Sequence, residues 1–139
     1  MSIHPYLFLE GRAEEAIEYY KKHLGAQVKA MLRIKDAPEP PKDGMVSPGN
    51  ENKLLHAEFS IGGSLVWASD GFCSGQPKFE GIRLTLTCAN KVEAERAFAA
   101  LADGGQVHQP LIETYFSPAF GMLADRFGVP WMVLSAPAA

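Results

Sequence analysis

The residues best able to do chemistry are His56 and Glu58, two positions apart in Leu54-Leu55-His56-Ala57-Glu58-Phe59-Ser60-Ile61. In a strand, residues i and i+2 project from the same side, so the pattern puts an imidazole beside a carboxylate. That pair suits either a divalent metal or proton transfer. The competing reading is a histidine satisfied by polar neighbours on an exposed sheet face. Arg83 is a cation in the mostly apolar run Ile82–Cys88 and so calls for a partner. Its guanidinium suits a ligand carboxylate or phosphonate, or a structural ion pair with Glu58 or another carboxylate. Asp70 and Asp125 flank turns and read as turn caps. His23 suits the C-terminal end of a helix, and His108 falls on a presumed edge strand with no visible partner. There is no Ser/His/Asp signature and no phosphate-cradling loop, since Gly62-Gly63 and Gly104-Gly105 serve turns.

Composition narrows the classes. With 139 residues the chain is long enough for one well-buried core, and 47% hydrophobic with 21% charged residues is ordinary for a globular protein. A net charge of −3 argues against a nucleic-acid partner, which needs a basic face. No apolar run approaches the roughly 20 residues of a membrane span, so no membrane association is expected. Met1–Pro5 has neither a basic nor an apolar leader segment, so a cytoplasmic location is expected. Cys73 and Cys88 lack metal spacing and read as reduced thiols.

These residues must be positioned by strands and two helices. Ile3–Leu9 alternates as a strand. Ala13–Leu24 follows with Ala13, Ala16, Ile17, Tyr20 and Leu24 on one stripe, and Gly25 stands where a left-handed C-terminal residue belongs. Val28–Ile34 is a second strand. Asp36–Asn52, rich in Pro, Gly, Asn and Asp, is a long excursion. Leu54–Ile61 and Ser64–Ser69 form a hairpin across Gly62-Gly63.

The order then repeats. Ile82–Cys88 is a strand, and Asn90 with Glu93 is an N-terminal capping pair for a helix over Val92–Ala102. Val107–Glu113 and a closing hairpin across Asp125-Arg126-Phe127-Gly128 complete the set. The repeat, offset by roughly 77 positions, predicts an α+β fold of two βαβββ modules, about 1–72 and about 78–139. The loop Asp70–Glu80 joins them.

Three segments carry a family resemblance. They are Pro5-Tyr6-Leu7-Phe8 with Ala13-Glu14-Glu15-Ala16-Ile17-Glu18-Tyr19-Tyr20, then His56-Ala57-Glu58-Phe59-Ser60-Ile61-Gly62-Gly63, and Gly121 through Trp131 with its dense Asp-x-Phe-Gly-Val-Pro-Trp. Together they resemble the PhnB-like branch of the vicinal oxygen chelate superfamily, which includes glyoxalases, extradiol dioxygenases and fosfomycin-resistance proteins. The resemblance implies curled mixed sheets with the helices on their outer faces, a ligand in the concavity and a homodimer that can exchange modules. Metal-binding members commonly close with Asp-Pro-Asp-Gly-Asn-x-x-Glu, whose glutamate is a ligand. Here Met132 takes that register. His4 lies near the first strand's ligand position, while Gly81, Ile82 and Arg83 offer no histidine in the second module. No tightly bound metal or other cofactor is therefore expected. A divalent metal on His4, His56 and Glu58 is the alternative, which would make the protein a metal-dependent lyase, isomerase or dioxygenase.

Members of this branch have been labelled by similarity to a demethylubiquinone methyltransferase. A donor such as S-adenosylmethionine usually sits on a glycine-rich βα turn of a larger doubly wound sheet, and the chain has neither. Strand alternation instead lines one cup with His4, Tyr6, Phe8, His56, Glu58, Arg83, Thr85 and Thr87. Trp67, Trp131, Tyr115 and Phe116 either wall a pocket or belong to the core. The expected ligand is a small molecule with an anionic group, met by His56, Glu58, Arg83, Thr85, Tyr6 and Trp131 under an Asp36–Asn52 lid. The protein would then be a binder or an enzyme of unnamed reaction. A dimeric scaffold without a ligand is the third reading.

Overall fold

A computed structural model describes residues 1–39 and 49–137. The described residues form β1 (Tyr6–Phe8), α1 (Ala13–Leu24), β2 (Gln27–Arg33), a 3₁₀ turn (Ile34–Asp36), β3 (Leu54–Ile61) and β4 (Ser64–Ser69). These are followed by β5 (Leu84–Cys88), α2 (Lys91–Ala102), β6 (Gln106–Thr114), β7 (Ser117–Ala124) and β8 (Pro130–Ser135). The chain divides into two compact units, Met1–Pro77 and Lys78–Ala139. Each holds one helix and one mixed four-stranded sheet, ordered β1-β4-β3-β2 in the first and β5-β8-β7-β6 in the second. The α+β class and the βαβββ repeat are as the sequence predicts.

In the first unit β1 runs parallel to β4, and β3 is antiparallel to both β4 and β2. Register puts Leu7, Ala68 and Ala57 in one row, with Phe59 and Val66 in another on the same face. All five are buried. The apolar stripe of α1 (Ala13, Ala16, Ile17 and Tyr20) is buried as well, with the Tyr20 ring 5.9 Å from Phe59. Gly25 ends the helix at φ +68°, a conformation that favours glycine.

The second unit repeats this plan. Asn90 Oδ1 accepts the Glu93 N–H at 2.9 Å, and Glu93 Oε2 accepts the Ala89 N–H at 3.3 Å. The reciprocal pair satisfies donors that the first turn of a helix leaves open. Ala94, Ala97, Phe98 and Leu101 are buried from α2. A Cβ on Gly121 of β7 would come within 2.7 Å of the Phe98 ring and 2.9 Å of the Gln109 carbonyl. The absence of a side chain there is what lets α2 lie close to the sheet.

Several boundaries differ from the sequence reading. The first strand is Tyr6–Phe8 rather than Ile3–Leu9, because its one neighbour is β4 and Ile3 is exposed. Likewise β5 begins at Leu84 rather than Ile82, whose side chain is exposed. β2 starts one residue early and gives way to the 3₁₀ turn at Ile34. Of the expected Asp36–Asn52 lid, residues 40–48 lie outside the described residues. No described helix is long and apolar enough to cross a membrane.

Candidate functional site

The face of the first sheet opposite α1 carries Tyr6, Trp67 and Glu58 side by side on β1, β4 and β3. His56 stands two residues before Glu58 on the same face. Tyr6 Oη lies 2.9 Å from His56 Nδ1, and His56 Nε2 lies 3.1 Å from Glu58 Oε2. A carboxylate only accepts, so the network assigns the neutral imidazole's proton to Nε2. Nδ1 is then the acceptor and the Tyr6 hydroxyl the donor. The result is a continuous chain, Tyr6 O–H to His56 to Glu58, in which the carboxylate fixes the ring's tautomer. His56 and Glu58 are about equally half-buried, at 30% and 29% side-chain exposure.

Aromatic rings frame this chain. The His4 ring lies 4.9 Å from Trp67, and Tyr6 stacks on Phe8 at 5.0 Å. Trp67 stands nearly perpendicular to both Tyr6, at 6.2 Å, and His56, at 5.3 Å. Trp67 Nε1 is buried and has no hydrogen-bond partner among the described residues. Such a donor forfeits about 1–3 kcal/mol relative to water, a deficit that an arriving acceptor would relieve. Burial pushes the Tyr6 phenol above its ordinary range, a hydrogen bond from Ser69 opposes this, and the Glu58 charge adds to it. Ser69 Oγ also accepts the Gly71 N–H at 2.7 Å, so the turn after β4 orients this hydroxyl.

The other expected site residues belong to the second unit. Arg83 Nη1 donates to the carbonyls of Leu123 (3.2 Å) and Trp131 (3.3 Å), and Nη2 donates to His108 Nδ1 at 2.9 Å. Its guanidinium thus reaches from the residue before β5 across the backbone of β8 and β7 to a side chain of β6. His108, which the sequence leaves without a partner, is held by this arginine. Thr85 is exposed and pairs in register with Met132, which in turn faces Met122 on β7. Trp131, expected among the ligand-facing residues, lies on the opposite face. It is buried in a row with Leu84 and Leu123, and its Nε1 donates to Asp125 Oδ2 at 2.9 Å. Its indole belongs to the turn network in which Asp125 Oδ1 also accepts the Phe127 and Val129 N–H groups.

A divalent metal does not fit these donors. Both nitrogens of His56 are engaged, the His4 ring packs against Trp67, and Met132 is flanked by a hydroxyl residue and a second thioether. Among the described residues no three His, Cys, Asp or Glu side chains are grouped to hold an ion. Two contributors escaped the sequence reading. Ser69 looks like an ordinary strand-end serine, and nothing in the sequence links His108 to Arg83.

The family described as 3-demethylubiquinone-9 3-methyltransferase matches residues 1–134. Protein YjdN of Escherichia coli (strain K12) is 33% identical, over 96% of this chain and 94% of its own. The solved structure of PA1353 from Pseudomonas aeruginosa shares 39% identity with a TM-score of 0.83, covering 98% of each chain. The PhnB protein from Bacillus cereus shares 28% identity with a TM-score of 0.79, over 98% of this chain and 100% of that one. A glyoxylase/bleomycin resistance protein/dioxygenase domain from Frankia sp. EAN1pec, 11% identical with a TM-score of 0.60 over 100% of this chain and 93% of its own, shares the fold. The chain belongs to the PhnB-like family described as 3-demethylubiquinone-9 3-methyltransferase.

Proposed function

We propose that this protein is a PhnB-like member of the vicinal oxygen chelate superfamily that binds a small polar molecule, without a tightly held metal, on the sheet face bearing Tyr6, His56, Glu58 and Trp67. The observation that carries the reading is the Tyr6–His56–Glu58 hydrogen-bonded chain beside the Trp67 N–H, which has no partner among the described residues. A half-polar, aromatic surface with a few fixed donors and acceptors is the usual lining of a small-molecule site. The ligand fitting it is flat enough to lie against one of the Tyr6, Phe8 and Trp67 rings and carries an acceptor for the indole N–H.

The family description names a methyltransferase, yet the described residues do not fit a methyl-donor nucleotide in the usual manner. Its customary seat is a βα turn whose amides face the ligand. Here the amides of Gly11 and Ala13, at the turn into α1, both donate to the internal carboxylate of Asp70. Each sheet is also a mixed sheet of four strands rather than a doubly wound parallel one.

A thermal-shift screen of small organic acids and phosphonates, run on wild type, His56→Ala and Arg83→Ala, tests this reading. A ligand that stabilises wild type and loses its effect in His56→Ala supports it. A ligand that stabilises all three equally places binding elsewhere. Metal analysis of the purified protein should find well below one equivalent of zinc, nickel, iron or manganese per chain. Stoichiometric metal that disappears in His56→Ala would overturn the metal-free assignment.

A further inference from the structure

We infer that Tyr6, His56 and Glu58 form a proton relay in which Tyr6 is the catalytic base toward a small carbon acid, a molecule whose reactive C–H lies beside an electron-withdrawing group. The inference rests on the binding reading above and adds chemistry to it. Three observations carry it. Tyr6 Oη donates to His56 Nδ1 at 2.9 Å, so the phenolic proton already points at a base. His56 Nε2 is tied to Glu58 at 3.1 Å, so an imidazolium formed by accepting that proton would face a carboxylate. The Tyr6 ring stands beside Trp67 and Phe8 and is partly exposed, on a face that a planar molecule can reach.

The step balances within these groups. As the substrate C–H bond breaks, its proton passes to Tyr6 Oη and the phenolic proton passes to His56 Nδ1. The electron pair stays on the substrate as a delocalised carbanion. Tyr6 ends neutral, and the imidazolium is paired with the Glu58 carboxylate. Reversal returns the proton, from the same side, to a neighbouring substrate atom, so isomerisation needs no oxidant, reductant or cofactor. Carbon acids are the class indicated because proton removal from carbon is slow, and a positioned base contributes there about 10²–10⁴-fold. Exchange from O–H or N–H gains little from such a device. Glu58 does not touch the substrate and is a positioning residue. The raised phenol range fits this arrangement, since a free tyrosinate is disfavoured and the phenol must hand its proton on as it accepts another.

The experiment uses 5-nitrobenzisoxazole as the probe. Base removal of its C–H proton breaks the ring N–O bond and leaves a coloured phenolate. Wild type should accelerate this opening with saturation. Tyr6→Phe should lower kcat by at least about tenfold while KM stays within about threefold. In parallel, nitrogen NMR of wild type should show His56 protonated at Nε2, with the two tautomers becoming mixed in Glu58→Gln. A Tyr6→Phe protein with undiminished kcat overturns the relay and leaves the binding reading intact, as does a wild-type His56 protonated at Nδ1. A rate linear in probe with the Tyr6→Phe loss preserved upholds the relay and counts instead against the binding surface. The NMR measurement needs no variant, so it decides the tautomer even if a substituted chain fails to fold.

Discussion

The carboxylate of Asp70 accepts the Leu54 N–H at 2.6 Å through one oxygen, and through the other it accepts Ala13 N–H at 2.8 Å and Gly11 N–H at 3.1 Å. One buried side chain thereby ties the end of β4 to the start of β3 and to the first turn of α1. A negative charge at a helix N-terminus is favourable in itself, and here it also satisfies amides that would otherwise be buried without partners.

Asp70→Ala should therefore destabilise the protein by about 3 kcal/mol or more, since it strands three donors at once. Asp70→Asn keeps the shape but exchanges one acceptor for a donor facing an N–H, and should fall well short of wild type too. The shift in the urea midpoint of both variants measures this. A change within about 0.5 kcal/mol, the range of an ordinary surface substitution, would contradict the role given to this carboxylate.

A parallel expectation holds for Trp131. Its buried Nε1 donates to Asp125, so Trp131→Phe should cost about 1–3 kcal/mol through the lost bond. Ligand affinity should be unchanged, because the indole is engaged in the turn network of Asp125 within the second unit, whereas the proposed binding face belongs to the first. Loss of binding without loss of stability would place the indole at the ligand after all.

How far all this is legible in the sequence depends on the range of the interaction. Ala13–Leu24 and the hairpin Leu54–Ile61 with Ser64–Ser69 have the bounds the sequence predicts, because a 3.6-residue stripe and a Gly-Gly turn are local signals. The second helix, Lys91–Ala102, starts one residue early for the same local reason, its Asn90 cap. The true extent of β1 was not legible, since it is set by parallel pairing with β4, some sixty residues away. The same division runs through the site. His56 and Glu58 are an i,i+2 pair and read directly as neighbours. Tyr6 joins them only through the sheet register, and Arg83 meets His108 only across four strands. The side taken by Trp131 follows from register as well. An aromatic run beside a turn looks the same in sequence whichever face it takes.

Association is a further expectation. β1 and β5 end their sheets, and Phe8 and Ile82 beside them are exposed. Short edge strands bearing apolar side chains gain from pairing, so we expect a two-fold homodimer. Light scattering should give about twice 15.1 kDa at micromolar concentration. A 15.1 kDa particle throughout that range would refute it.

The alkaline behaviour of Tyr6 gives the sharpest check on the site. Burial raises its phenol above the ordinary value of 10.0, and the Glu58 charge adds to this against the Ser69 hydrogen bond. A group whose folded value is raised favours the fold in its protonated form. The contribution is therefore complete below the unfolded value and is lost as pH climbs through the folded one. Wild type should accordingly lose stability above pH 10.0 in part through this residue, whereas Tyr6→Phe has no such proton to lose. The stability difference between wild type and Tyr6→Phe should be constant near neutrality and shift in favour of the variant as pH rises past that point. Absorbance titration of tyrosinate should show one upward-displaced ionisation in wild type that is missing from Tyr6→Phe. If Tyr6→Phe removes an ordinary ionisation instead, or the stability difference stays flat to high pH, the phenol is not held among His56, Glu58 and Ser69 as described.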